Sequence, residues 1–242
     1  MRKTEVEKNW PSRRMIAGIF TFPMMALFAV VLLTPVYIFQ QEKNFALLLA
    51  GTLVSEILAI LWAKNYAWKE ETFKETLYLN KTKMSTVIYG ALAGIGFFVL
   101  LQVFAALFVH FGVNFGSSET SKNLLNLSGP VGAIITFVVT PFVVPVLEEC
   151  VFRGVILHSF LESTLKNKKS CTVFSVIFSS LLFSLAHVQG TSSFNDWFLL
   201  AWIAAIAVVN AVFVVKTKSI YPAIALHVCY NTTTAYLSLF IH

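Results

Sequence analysis

The chain has 242 residues, 57% of them hydrophobic and 12% charged, with 18 Lys and Arg against 12 Asp and Glu. Soluble domains carry about a quarter charged residues, so this composition, with its mean hydropathy of +0.75, excludes disordered, collagen-like and disulfide-stapled secreted classes and leaves a polytopic membrane protein. The net charge of +6 comes with no basic stripe interleaved with aromatics, which argues against nucleic acid as a partner and for membrane orientation as the reason for the basic excess.

Residues 1–14 are strongly charged and precede about 25 mostly apolar residues, longer than a signal-peptide core and suited to a retained spanning helix. A helix needs about 20 apolar residues to cross the hydrocarbon layer, and such runs fall at roughly 15–39, 45–62, 86–109, 131–147, 171–189, 198–215 and 220–241. The expected fold is therefore an all-α membrane bundle of about seven spans, with room for a short or re-entrant eighth. One integral domain over 1–242 is expected, because the longest polar stretch, 63–85, reads as an amphipathic connection. Lys and Arg number 5, 5, 4 and 2 in the segments 1–14, 63–85, 148–170 and 216–219, against 1, 1 and 0 in 40–44, 110–130 and 190–197. That asymmetry puts the N-terminus in the cytoplasm and the C-terminus outside. Compact size and no targeting signal fit a bacterial plasma membrane. Cys150, Cys171 and Cys229 are widely separated, with no metal-site or disulfide spacing, and read as small apolar residues.

Ionisable groups inside spans are costly unless they face a cavity or a partner, so each is a candidate site. In the second span, Glu56 could line a substrate cavity or pair with a Lys or Ser of a neighbouring helix. After the fourth, Pro141 and Pro145 precede Glu148, Glu149 and Arg153. Each proline removes one helical N–H, freeing the carbonyls of Phe137 and Pro141 at a kink just before the acids. On a helix Glu149 and Arg153 share a face four residues apart, while Glu148 points roughly 100° away. Glu149 and Arg153 then form a clamp and Glu148 is left to accept a proton; a border charge cluster is an equal reading of this spacing alone. The fifth span carries Phe183 and His187 on one face, and the last carries His227 and Asn231 on one stripe. A lone buried histidine or amide is ordinary interhelical glue, as Asn210 is read here. One acid, two histidines and an amide on three spans are together an inventory for hydrolysis, with a base, an imidazole and oxyanion donors.

These residues resemble the motifs of the CPBP family of intramembrane proteases, the CAAX-protease and bacteriocin-processing or Abi group. Its EExxxR is Glu148-Glu149-Cys150-Val151-Phe152-Arg153, its FxxxH is Phe183 to His187 and its HxxxN is His227 to Asn231, in the expected order. The resemblance covers roughly 130–242, the expected catalytic core. It implies an intramembrane endopeptidase in which Glu148 and His187 activate water, His227 and Asn231 stabilise the oxyanion, and Glu149, Arg153 and Phe183 support the site. For these groups to meet at one depth, 131–166 is expected as one long kinked helix with Glu148 near its middle, together with some later start and tilt of the fifth span. The implied partners are the lipid bilayer and a membrane-associated peptide or protein, such as a pheromone or bacteriocin precursor or a CAAX-like tail. Glu148, His187 and His227 would suit Zn²⁺ chemically. With no HExxH present, and an asparagine better suited to an oxyanion than to zinc, a metal-free mechanism is favoured. Two other classes compete: a non-proteolytic scaffold or bacteriocin immunity factor, and a proton-coupled transporter using Glu56, Glu148 and the histidines as a relay.

Overall fold

The computed structural model describes residues 5–39, 45–69, 71–113, 129–161, 169–188 and 194–237. Among them are helices and no strands: α1 (Glu5–Phe39), α2 (Phe45–Ala67), the single turn α3 (Phe73–Thr76), α4 (Met84–His110), α5 (Gly129–Leu161), α6 (Lys169–Ala186), α7 (Phe194–Thr217) and α8 (Tyr221–Leu237). The protein is an all-α polytopic bundle, with six helices long and apolar enough to cross a membrane: α1, α2, α4, α5, α6 and α7. The seventh expected span is α8, whose 17 described residues fall short of that length. Large apolar side chains on α4 and α6, such as Ile88, Leu92, Val99, Phe174 and Leu181, are exposed, as a lipid-facing wall requires.

The fourth span runs past 131–147, as the long helix expected over 131–166 requires, while the fifth starts no later than expected. It is one continuous 33-residue helix, α5, with Glu148 inside it. Two stretches of α5 are wound as π-helix, Ile135–Val143 and Cys150–Leu157, flanking the α-helical Val144–Glu149 that carries both acids. The prolines explain the first. The N–H of Val144 reaches back five residues to the carbonyl of Val139. In that register the carbonyl that Pro145 cannot serve is Thr140's, not Pro141's, so widening moves the released acceptor back by one residue. Two carbonyls of this stretch accept from α8: Asn231 donates Nδ2–H to the released Thr140 O at 3.4 Å, and Tyr236 donates its hydroxyl to Phe137 O at 3.2 Å. In the second π stretch, Ser179 of α6 donates to Phe152 O at 2.8 Å.

The connection 68–83 is part of the core. Thr72 and Glu75 form a capping box that starts α3. Trp68, Leu77 and Tyr78 are buried against the last part of α5, where Tyr78 stacks on His158 with ring centroids 3.8 Å apart and His158 Nδ1 lies 2.7 Å from Thr76 O. Tyr78 has φ +53°, a conformation costly for a bulky residue, and its carbonyl accepts the N–H of Ile220 at 3.1 Å. Asn80 holds the carbonyl of Lys218 at 2.9 Å. These bonds hold the α7–α8 turn beneath the connection, with Ser219 and Ile220 wholly buried.

This anchoring settles a problem of depth. At 1.5 Å per residue His187 stands about 27 Å along the chain from the start of α6, and His227 only about 9 Å from the start of α8. They meet because the short α7–α8 hairpin ends inside the bundle, while α6 runs on past it toward its own start at Lys169, two residues before the expected Cys171. Of the three cysteines, all free, Cys150 is buried and Cys171 and Cys229 are half-buried.

Candidate active site

The site is built on three helices. Glu148 and Glu149 come from the middle of α5, His187 from the residue after α6, and His227 and Asn231 from α8. Glu148 lies between the two imidazoles, with Oε1 3.6 Å from His187 Nε2 and Oε2 3.6 Å from His227 Nε2. Each imidazole has its other nitrogen committed. His187 Nδ1 is 2.8 Å from the Phe183 carbonyl, an acceptor, so Nδ1 carries the proton and Nε2 turns a lone pair toward Glu148. His227 Nδ1 is 3.1 Å from Glu149 Oε1 and donates to that carboxylate, with Nε2 turned toward Glu148. Glu148 and His187 Nε2 therefore face each other as acceptors, and Glu148 Oε2 is buried without a hydrogen-bond partner. What this geometry admits between them is a donor, such as the O–H of water.

Glu149 is the organiser. Its Oε1 accepts from Asn210 Nδ2 at 2.9 Å and from His227 Nδ1, and stands 3.2 Å from Arg153 Nη1 in the (i, i+4) pair expected from spacing. Arg153, fully buried, donates Nη2–H to Ala207 O at 2.9 Å, and Phe183 covers it with its ring centroid 4.5 Å from the guanidinium carbon. The same ring lies 4.7 Å from His187 and 5.6 Å from His227, so Phe183 packs against three polar members of the site at once. Arg153 is thus an internal ion-pair partner and not a topogenic charge, which leaves 15 of the 18 basic residues in the segments assigned to the cytoplasm.

Six of the seven residues singled out from the sequence are joined here by these contacts. Asn231, one turn after His227 on α8, instead donates an amide N–H to Thr140 O at 3.4 Å. Two more polar residues belong to the cluster. Asn210, read as glue, is wholly buried and bonds the acid itself. Glu56 on α2 is 3% exposed, its Oε2 has no hydrogen-bond partner, and α2 packs against the turn of α5 that carries Glu148. The expected Lys or Ser of a neighbouring helix does not bond Oε2. An isolated acid in an apolar run was visible in the sequence, but which helix it faces was not.

For zinc, the donor types fit and the arrangement does not. Each imidazole has the outer-shell acceptor a metal ligand requires. However, the two Nε2 atoms address opposite oxygens of one carboxylate, and among the described residues no group of three or more His, Cys, Asp or Glu is placed to hold a metal ion.

Comparison with known proteins gives one match. Residues 130–233 match the family model described as type II CAAX prenyl endopeptidase Rce1-like. Curated proteins and solved structures yield no match. The matched segment begins at α5 and contains every residue of the cluster except Glu56.

Proposed function

We propose that this chain, whose residues 130–233 match the Rce1-like CAAX prenyl endopeptidase model, is an integral membrane protease of that kind and hydrolyses a membrane-associated peptide by a Glu148-activated water. The observation that supports this reading is the convergence of His187 Nε2 and His227 Nε2 on the two oxygens of Glu148, each at 3.6 Å. Water held by Glu148 and His187 loses a proton to Glu148 as its oxygen attacks the scissile carbonyl. The oxyanion that forms accepts hydrogen bonds from an Asn231 N–H and from His227, which carries a proton on Nε2 while Glu149 balances its charge through Nδ1–H. Glu148 then returns its proton to the departing amine as the C–N bond breaks, restoring the starting state.

No step in this scheme uses a metal ion. Zinc, if bound by Glu148, His187 and His227, would supply Lewis-acid activation of the same water. The substrate we favour is a peptide precursor of the pheromone or bacteriocin kind, with a CAAX-like tail as the alternative, and the setting a bacterial plasma membrane with the N-terminus cytoplasmic.

The test uses purified protein in detergent with fluorogenic peptides, with and without a farnesylated tail. Wild type is compared with Glu148→Gln, His187→Ala and His227→Ala, before and after exhaustive chelation. The proposal expects cleavage by wild type that survives chelation and is lost in all three variants. Full activity in the variants overturns the residue assignment, and loss on chelation with recovery on adding Zn²⁺ overturns the metal-independent mechanism.

A further inference from the structure

The helix that carries His227 and Asn231 packs most extensively against α4, which lies outside the segment matched by the family model. Their contact is backbone on backbone. A Cβ added to Gly90 would fall inside contact distance of the Pro222 carbonyl oxygen, with the carbonyl carbon 3.0 Å and Cα 3.1 Å away. A Cβ on Gly94, one turn on, would meet the Leu226 carbonyl oxygen in the same way, with the carbonyl carbon and the Tyr230 nitrogen both at 3.0 Å. Gly90 and Gly94 are the buried residues of a small-xxx-small stripe, and Pro222 and Leu226 are the matching turns of α8. Leu226 is the residue before His227, and Tyr230 the residue before Asn231. Gly96 stands on the same helix with nothing within 4 Å of an added Cβ.

We propose that Gly90 and Gly94 are positioning residues for the active site, setting the distance of α8 from the bundle axis so that His227 Nε2 meets Glu148 and Nδ1 meets Glu149. The inference rests on the peptidase reading for its effect on rate, but not for its effect on His227 itself. The closest approach tolerated between carbon and a carbonyl oxygen is about 3.3 Å, so a methyl group at either glycine forces α4 and α8 apart by on the order of 1 Å. The His227 nitrogens stand 3.1 Å from Glu149 and 3.6 Å from Glu148 on α5, and a shift of α8 by that amount changes both distances. Misplacement of catalytic groups by about 1 Å lowers rates by as much as 10²-fold. The α7–α8 turn is fixed at its other end by Tyr78 and Asn80, so α8 cannot slide along its axis to escape.

The experiment compares Gly94→Ala, Gly90→Ala and Gly96→Ala in the full chain, in detergent. For Gly94→Ala a kcat reduced about 10- to 100-fold is expected, with KM within about twofold, and Gly96→Ala is expected to match wild type. An NMR arm follows the His227 ring Nδ1–H resonance, expected to move in Gly94→Ala and stay in place in Gly96→Ala. If Gly94→Ala does not fold, Gly90→Ala takes its place in every arm. Unchanged kcat and resonance in folded variants, or failure of both variants to fold beside a folded Gly96→Ala, overturns the positioning role. An inactive wild type whose His227 resonance still responds to Gly94→Ala refutes the peptidase reading and leaves this inference standing.

Discussion

Glu148 and Glu149 are adjacent acids with the same side chain, and the structure predicts opposite consequences for neutralising them. Glu149 Oε1 collects Arg153, Asn210 and His227 within 3.2 Å, and both Glu149 and Arg153 have no exposed side-chain surface. Glu149→Gln leaves the Arg153 guanidinium buried with its hydrogen bond to Ala207 O but no counter-charge. Breaking one side of a buried ion pair costs about 3–5 kcal/mol. A chain of this size loses about 2–4 °C in Tm per kcal/mol, so Tm should fall by on the order of 6–20 °C. Glu148 has no Arg or Lys partner among the described contacts and faces two imidazoles at 3.6 Å. Glu148→Gln should therefore leave Tm within a few degrees of wild type, and lower kcat by about 10²- to 10⁴-fold as removal of a general base does. The assay is thermal unfolding in detergent with a maleimide dye, for which the free and buried Cys150 is a natural reporter. Equal Tm losses in the two variants, or a Glu149→Gln protein as stable as wild type, would refute the division of labour.

Pro145→Ala restores an N–H that can bond Thr140 O, the acceptor now used by Asn231. Stability should hold or rise while kcat falls at least tenfold, and a parallel loss of both in kinetics and thermal melts would count against the π-register account. Asn231→Ala removes an oxyanion donor and should lower kcat by about 10²- to 10³-fold with little change in KM; a pure KM effect would assign Asn231 to substrate binding. Outside the spans, the Glu75 carboxyl sits below the ordinary carboxylate range because the Thr72 backbone N–H and hydroxyl donate to it. A lowered folded value means the cap's contribution is present above the ordinary carboxylate range and is lost as pH falls through the lowered one. Titration of Glu75 followed by NMR should move up in Thr72→Ala, which removes the hydroxyl and keeps the backbone N–H, and an unchanged curve would rule out the hydroxyl as a cause.

Helix count, the (i, i+4) clamp and the grouping of the three motifs could all be read from composition and spacing, because membrane cost makes every polar residue inside a span conspicuous. Phe137 O was expected to be freed by Pro141; it accepts from Tyr236, but in the π register the counterpart of Pro141 is residue 136. The π register was not legible. Periodicity places Pro145 opposite Pro141, and only the observed bond from Val144 to Val139 moves the released carbonyl to Thr140. Depth was legible in part. The need to bring the two histidines together pointed to the long helix over 131–166, but the burial of the α7–α8 turn goes with a long-range bond between Tyr78 and Ile220 that no local pattern encodes. Asn210 looked like any interhelical amide, since spacing within α7 cannot reveal that its partner is Glu149, 61 positions away. The glycines of α4 carry no side-chain signal, and their meaning lies in what a Cβ would strike on another helix.

The most direct test of the central claim is the cleavage rate of a membrane-anchored reporter peptide by wild type and Glu148→Gln in the same proteoliposomes, each first shown to be folded. The account predicts cleavage by wild type at a rate at least 100-fold above Glu148→Gln, in line with the general-base range. Equal rates in the two proteins would contradict it.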